Sequence, residues 1–299
     1  MAKQLTVRKH QTGILLTILA FGLHTTGQTH RTEYSGKIID MHVLLFVEEG
    51  DNISAERTNT IGDIVAFMPK DKIEKAAIIT IAQKGNMADT RMRNDSIIAA
   101  SRRQSPLIPV CSVHPMDGAD ALAEMQRVHD LGVQVIKLHP NSQRFDVSAP
   151  EVDAVAKKAG ELKMIMLFDS YSPTDAGEIG KLVMLAATNP DARFIFAHTG
   201  LVNFPQLLMI EGLKKYPWFR NNIWFDLSAI APILGNSPFH DQLMWTIRKI
   251  GVGQFMFGSD FPLFDPAESI KAVHAMGFSA DEEQKIFYGN ACRLLGIRH

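Results

Sequence analysis

The sequence predicts a single-domain α/β fold, a (β/α)8 TIM barrel. The main observation is a set of eight short apolar runs separated by helix-length segments, a pattern typical of buried parallel strands in βα units. Seven of the runs end in a polar residue, and the carboxyl ends of barrel strands are where active sites lie. The eight runs are Lys37–His42, Ala76–Ala82, Leu107–His114, Val133–His139, Met164–Asp169, Arg193–His198, Asn222–Ser228 and Gln254–Asp260.

The segments between the runs have helical patterns. A helix is predicted around Thr60–Met68, ended by Pro69, whereas Lys84–Arg103 predicts a loop and then a helix from about Asp95. The segment Asp117–Asp130 is amphipathic and is followed by Gly132, a typical C-cap. The remaining predicted helices are Pro150–Leu162, Asp175–Thr188, Pro205–Tyr216, His240–Ile250, Pro266–Met276 and Asp281–Leu295, the last opened by a capping box at Ser279–Glu282.

The N-terminal residues differ from the rest of the chain. Lys3, Arg8 and Lys9 precede an apolar stretch, Gly13–Leu23, of about 11 residues, which is the length of a signal-peptide core and too short to span a bilayer. We therefore expect residues 1–30 to be a signal peptide or leader, and residues 35–299 to form the barrel. Export to the periplasm or the medium is the expectation, and a leader on a cytoplasmic protein is the alternative.

Composition excludes several classes of function. The net charge is −1 and no basic cluster is interleaved with aromatics, so we expect no nucleic-acid partner. The two cysteines, Cys111 and Cys292, lie far apart and predict buried thiols, not a disulfide framework. No Gly-x-Gly-x-x-Gly motif follows the first run, so no nucleotide cofactor is expected. We expect the protein to bind a small-molecule substrate and to form a homodimer. We expect no stable membrane anchor.

Four polar residues at the run ends could meet at the mouth of the barrel. Side chains alternate along a strand, so Asp40, His42 and Leu44 share a predicted face, as Asp169 does with Leu167. His198 is likewise grouped with Phe196, and Asp260 with Gly258. If these faces point inward, His42, Asp169, His198 and Asp260 converge. Two imidazoles and two carboxylates would bind Zn, Mn or Fe(II), although each residue alone could be a hydrogen-bonded core position.

Five motifs resemble one known family. They are Asp40-Met-His42, Lys137-Leu-His139-Pro140, His198-Thr-Gly200, Gly258-Ser-Asp260-Phe-Pro262 and Gly289-Asn-Ala-Cys-Arg293-Leu. In this order and spacing they resemble the amidohydrolase superfamily, in particular the branch of aminocarboxymuconate-semialdehyde decarboxylase-like enzymes. The resemblance extends from about Lys37 to the C-terminus. It implies a metal-dependent enzyme on a TIM barrel.

Two family metal ligands are replaced in this chain. The family pattern has a second histidine where this sequence has Leu44, and another at the end of the fifth strand where it has Asp169. Asp169 can coordinate through oxygen, but Leu44 cannot coordinate. The resemblance therefore implies His42, Asp169 and Asp260 as ligands with His198 nearby, in a site that is weakened, altered in metal preference or lost.

The resemblance also implies catalytic roles. Asp260 would be a ligand and the general base, and His198 would orient the attacking water or stabilise an oxyanion. Lys137 and His139 share a strand face and could anchor a substrate carboxylate, with a structural role as the alternative. Two further candidates for substrate binding are Arg91, in the predicted loop after the second strand, and Tyr171, just after Asp169.

Three functions remain open from the sequence. The first is hydrolysis of an amide, lactone or related ester-like bond with a divalent metal, Zn being preferred over Mn or Fe. The second is nonoxidative decarboxylation of an aromatic or unsaturated carboxylic acid. The third is a metal-free pseudoenzyme or binding protein on the same barrel, which the replacements at Leu44 and Asp169 favour. Fold alone does not decide between reactions.

Overall fold

The structure is a computed structural model that describes residues 33–45 and 59–298. The predicted leader, residues 1–30, lies outside the described residues, as does most of the segment between the first strand and the first helix. In the part of the chain that is described, no helix combines the length and the hydropathy needed to cross a bilayer.

Eight parallel strands form one sheet in sequential order, which confirms the predicted (β/α)8 barrel. The strands are β1 Ile38–Leu44, β2 Ile73–Ile79, β3 Leu107–Ser112, β4 Val135–Leu138, β5 Ile165–Asp169, β6 Arg193–Ala197, β7 Ile223–Asp226 and β8 Phe255–Met256. Only two residues of β8 are in regular strand conformation. The barrel closes beyond them, where Met41 N–H donates to Phe257 O (3.0 Å) and Leu44 N–H donates to Phe261 O (2.8 Å).

Helices follow the strands around the outside of the barrel. They are α1 Ile61–Phe67, α2 Met87–Arg103, α3 Ala119–Asp130, α4 Pro140–Gln143, α5 Pro150–Glu161, α6 Glu178–Thr188, α7 Met209–Leu213, α8 Ile230–Leu234, α9 His240–Ile250, α10 Pro266–Ala275, α11 Ala280–Gln284 and α12 Asn290–Leu295. The predicted last helix is interrupted, because Lys285–Gly289 forms a π-helical turn between α11 and α12. The predicted helix over Pro205–Tyr216 is reduced to α7, preceded by an irregular 3-10 segment, His198–Leu208.

Two apolar clusters divide the core. One fills the barrel interior with residues such as Ile39, Val135 and Leu167, closed by Leu294 and Leu295 of α12. The other lies between the strands and the helices and contains the alternate strand residues, such as Ile136 and Phe168. Adjacent strand residues therefore belong to different clusters, because successive side chains point alternately into the barrel and toward the helices.

The prediction of a loop over Lys84–Asp95 was wrong. Helix α2 begins eight residues earlier than expected, at Met87, because the Asn86 side chain accepts a hydrogen bond from Asp89 N–H (3.3 Å) and caps it. Arg91 is thus on a helix, and its Nε lies 3.4 Å from the buried Glu124 carboxylate of α3. The helix holds Arg91 in this ion pair on the outer layer instead of placing it in a loop near the mouth.

Candidate active site at the barrel mouth

Strand alternation directs Lys137 and Asp169 into the barrel. Lys137 follows the interior residue Val135 by two positions, and Asp169 follows Leu167 in the same way. His139 continues the Lys137 face just beyond β4. All three side chains are buried, so the shared face predicted for Lys137 and His139 is present.

His198 reaches the site by a turn of the backbone, and the predicted strand face was wrong. Phe194 and Phe196 lie in the outer cluster, whereas Ile195 and Ala197 face the interior. A regular strand would therefore point His198 toward the helices. The chain instead leaves β6 after Ala197, and His198 adopts a left-handed conformation with φ of 61°. Such a conformation is uncommon for a residue with a Cβ, and here it brings the imidazole to the barrel mouth.

An irregularity in β1 places His42. Ile39 and Met41 face the interior, and so does Leu44, so the alternation changes phase between them. The pairing of β1 with β2 shifts register over the same stretch, between Asp40 and Val43. The single face predicted for Asp40, His42 and Leu44 is therefore wrong. Leu44 packs in the apolar interior and offers no ligand atom.

Asp226 at the end of β7 connects the two histidines. One carboxylate oxygen lies 3.0 Å from His42 Nδ1, and the other accepts hydrogen bonds from His198 N–H (2.9 Å) and Ser228 N–H (3.1 Å). The Ser228 hydroxyl also donates to Asp226 and lies 2.8 Å from His198 Nδ1. Burial alone would raise the pKa of Asp226, but the charge of His42 and these hydrogen bonds hold it well below its usual range.

Neither Asp226 nor Ser228 was assigned a role from the sequence. The available signal was the polar ending of the seventh run, Asp226-Leu-Ser228. The role of Asp226 depends on hydrogen bonds to His198 and His42, which are 28 and 184 positions away in the sequence, and no local pattern contains such contacts.

Three potential metal ligands lie close together beside Asp226 and Ser228. Ligand atoms of His42, His198 and Asp260 all lie within 4.8 Å of one another, and His42 Nε2 is 3.6 Å from Asp260 Oδ1. In both imidazoles Nδ1 faces the Asp226–Ser228 pair. His42 Nε2 therefore faces Asp260, whereas His198 Nε2 lies 3.0 Å from Asp169 Oδ2, a contact that a metal ion would have to replace. The contacts at Nδ1 are the outer hydrogen-bonding arrangement that orients metal-binding histidines. Burial and the charge of Lys137 lower the pKa of His42 and favour the neutral form that a metal requires.

The donor set therefore fits a divalent transition metal. Two imidazoles and a carboxylate are the ligands that Zn, Mn and Fe(II) accept. Burial raises the pKa of Asp260, although the neighbouring histidines oppose that rise. Burial disfavours the charged form of His198, but the carboxylates of Asp169 and Asp260 outweigh it and raise its pKa to about 9. Carboxylates thus dominate the potential of the site and attract a cation, whether a proton or a metal ion.

Asp169 lies beside this group but outside it. Its Oδ2 is 3.0 Å from His198 Nε2, 3.3 Å from His139 Nε2 and 3.9 Å from Lys137 Nζ. Burial would raise the pKa of Asp169, but these neighbours hold it well below its usual value. Burial lowers the pKa of His139 to about 4. Asp169, which was predicted as a ligand, is here the centre of a second polar cluster with Lys137, His139 and His198.

The ammonium group of Lys137 has unused hydrogen-bond donors. Its side chain is fully buried, and its Nζ makes no hydrogen bond to any described residue. Tyr171, the other predicted substrate contact, follows β5 and is half-buried, with its backbone N–H 3.3 Å from Asp169 Oδ1. Arg91, by contrast, is engaged with Glu124 on the helical layer.

A family model described as amidohydrolase matches residues 39–297. The chain belongs to the amidohydrolase family. The match includes every strand residue except Ile38, and it confirms the resemblance noted in the sequence. Comparison with curated protein sequences found no match.

Solved structures share the fold at low sequence identity. A 2,6-dihydroxybenzoate decarboxylase from Rhizobium is 14% identical, covers 88% of this chain and 99% of its own, and has a TM-score of 0.70. A dihydroxybenzoic acid decarboxylase from Polaromonas sp. JS666, solved with manganese and 2-nitroresorcinol, is 17% identical over 89% and 98% of the two chains, with a TM-score of 0.71. A Pseudomonas putida protein provisionally described as a 2-pyrone-4,6-dicarboxylic acid hydrolase is 17% identical over 88% and 98%, with a TM-score of 0.67.

Proposed function

We propose that this amidohydrolase-family protein is a metal-dependent hydrolase that cleaves an amide, lactone or related ester-like bond of a small molecule. The observation that carries the proposal is the group formed by His42, His198 and Asp260, with ligand atoms within 4.8 Å of one another. A divalent metal held there supplies Lewis-acid polarisation of the bond that is cleaved. Zn is the first candidate, with Mn and Fe as alternatives.

Asp260 is the proposed proton carrier. It is almost fully buried, and burial raises its pKa, so it is a stronger base than an exposed aspartate. In hydrolysis it would accept a proton from the attacking water and deliver that proton to the leaving group. Its position 3.6 Å from His42 Nε2 keeps the carboxylate beside the reacting centre.

The Asp169 cluster is the proposed binding region for substrate oxygens. Lys137 Nζ forms no hydrogen bond among the described residues and can donate to a substrate carboxylate or a developing oxyanion. His139 and Asp169 fix the direction from which the substrate approaches Lys137. Burial lowers the pKa of Lys137, whereas an anionic substrate would favour its charged form.

Decarboxylation is the second candidate. It is supported by the similarity in fold to decarboxylases of dihydroxybenzoate and of 5-carboxyvanillate. The same Lys137 would then bind the carboxylate that is lost, and protonated Asp260 would deliver a proton to the carbon. The two reactions differ in product, because only decarboxylation releases carbon dioxide.

Metal content and product analysis test both candidates together. We expect about one equivalent of Zn, Mn or Fe in the purified protein by inductively coupled plasma mass spectrometry, and loss of that metal in His42→Ala. His129→Ala, an imidazole on the exposed side of α3, is the matched control and should retain the metal. A panel of amides, lactones and aromatic acids is then assayed for hydrolysis and for carbon dioxide release.

Each outcome has a defined meaning. Hydrolysis that depends on His42 supports the first candidate, and carbon dioxide release replaces it with the second. If the wild-type protein binds no metal at millimolar Zn or Mn, but the double variant Leu44→His/Asp169→His does, the hydrolase proposal is refuted. The barrel would then be a pseudoenzyme or a binding protein.

A further inference from the structure

A cavity opens beside the barrel mouth, between the connections that follow β4 and β5. It has a volume of about 320 Å³. One wall is α4 and the turn after it, with Asn141 and Arg144, and the other is the segment from Ser172 to Glu178. The same two strands carry Lys137 and Asp169 at their ends, so the cavity is on the active-site face. Its volume is at the low end for ligand pockets and suits one end of a substrate.

Glu178 is the unsatisfied group of this cavity. It begins α6 and is only 4% exposed, and its Oε1 has no hydrogen-bond partner among the residues that the structure describes. A buried carboxyl oxygen without a partner is costly, because it has lost its hydration without a replacement. Burial and the charges of Asp169 and Asp175 raise the pKa of Glu178 to about 8.

The two other carboxylates at the cavity, Asp146 and Asp175, are already paired. Lys181 Nζ lies 2.6 Å from Asp146 Oδ2 and 2.8 Å from Asp175 Oδ2, so it bridges these two carboxylates. Hydrogen bonds from Lys181 and Ser148 lower the pKa of Asp146 to about 2. Arg144 also lines the cavity, and this residue is exposed to solvent. Glu178 is therefore the cavity's acidic group without an ion pair among the described residues, and a ligand would reach its buried carboxyl from the cavity side.

A protonated amine fits this group better than a metal ion does. In the described residues the only three-ligand cluster within 4.8 Å is the one at His42, so the carboxylates here are not close enough to chelate an ion. An ammonium group needs a single close carboxylate and can reach neighbouring oxygens, such as that of Ser172, with its other protons.

We propose that this cavity is a substrate subsite in which Glu178 binds a primary ammonium group of the substrate. The proposal rests on the hydrolase function proposed above and adds a substrate class to it, amine-bearing amides, lactones or esters. The scissile bond would lie over the metal-binding group, and the amine would project past Asp169 toward α6.

Binding of a simple amine tests the subsite without catalysis. The probe is n-butylammonium, titrated into the full-length protein by isothermal titration calorimetry at pH 7, with 1-butanol as the neutral analogue of similar size. We expect saturable binding of the amine, at least about tenfold weaker binding to Glu178→Gln, and no binding of the alcohol. Glu161→Gln, an exposed carboxylate on α5, is the matched control and should bind as the wild type does.

Proton release gives a second measurement that needs no variant. Burial raises the pKa of Glu178 to about 8, which favours the protonated carboxyl at pH 7, whereas an ammonium ion binds the charged carboxylate. Titrations in buffers of different ionisation enthalpy should therefore report proton release when the amine binds. Equal binding to wild type and Glu178→Gln, or binding without proton release, would overturn the proposal. Neither result bears on the hydrolase proposal, which is tested by metal content and product formation.

Discussion

Asp226→Asn should weaken metal binding without moving any ligand. Asparagine has the same shape, and its amide oxygen can still accept hydrogen bonds from His198 N–H and Ser228 N–H, which lie 2.9 and 3.1 Å from one carboxylate oxygen. The other oxygen, 3.0 Å from His42 Nδ1, becomes an NH2 group. His42 must then accept at Nδ1 and carry its proton on Nε2, the nitrogen that faces Asp260.

The expected loss follows from that change of tautomer. Removing the partner that orients a ligating histidine typically weakens metal affinity about 10- to 100-fold, which corresponds to roughly 1.4–2.7 kcal/mol. The assay is competition for Zn against a chelator of known affinity, with circular dichroism to establish that the barrel is folded. Asp241→Asn, an exposed carboxylate at the start of α9, is the control and should leave the dissociation constant unchanged.

One result would refute the reasoning. The outcome would be folded Asp226→Asn that binds Zn within about twofold of the wild type. Either the carboxylate would then not set the tautomer of His42, or the metal would be held without His42 Nε2.

Two further predictions concern the joint between β1 and the end of β8. Asp40 is fully buried, accepts from the backbone N–H groups of His42 (3.0 Å) and Ser259 (2.9 Å), and burial raises its pKa to about 7. The stabilisation that protonated Asp40 gives the folded state is complete below pH 3.8 and is lost as pH rises through 7. Between pH 4 and pH 8, the free energy of unfolding of the wild type should therefore fall by up to roughly 4 kcal/mol relative to that of Asp40→Asn, measured by denaturant unfolding. A parallel pH dependence in the two proteins would contradict this. Gly258→Ala places a Cβ 2.9 Å from His42 Cβ and 3.1 Å from Ser228 Cβ. This substitution should lower the free energy of unfolding by about 1–3 kcal/mol and weaken Zn binding. A variant with unchanged stability and unchanged Zn affinity would show that the backbone has room for the added methyl group.

The sequence predicted the barrel because its signals are local. An apolar run and its flanking helix each lie within a few residues of one another, and strand alternation correctly paired Lys137 with His139 on the inner face. The same rule failed at His198, where a left-handed residue reverses the side chain after the strand ends. It also failed in β1, where the register shift between Asp40 and Val43 changes the phase of the alternation. In β1 no glycine marks the deviation, and at the end of β6 the nearest glycine, Gly200, comes two residues after His198.

Other site features could not be predicted because they depend on distant contacts. Arg91 was assigned to the loop part of Lys84–Arg103, yet a cap at Asn86 starts the helix and Glu124 pairs with the side chain. Asp169 resembles a substituted ligand in the sequence, whereas the structure surrounds it with Lys137 and His139. The burial of the Glu178 side chain depends on how the chain segments that follow β4 and β5 pack against each other.

The last strand joins the first through the same residues that hold the site. Besides the bonds at Met41 and Leu44, Asp260 N–H donates to His42 O (2.9 Å), so two side chains that would bind one metal ion belong to opposite edges of the rolled sheet. An ion held by both residues would bridge those edges much as a crosslink does. By mass action it would favour the closed form over any state in which the edges separate. Occupancy of the metal-binding group would therefore be thermodynamically coupled to the resistance of the barrel to opening.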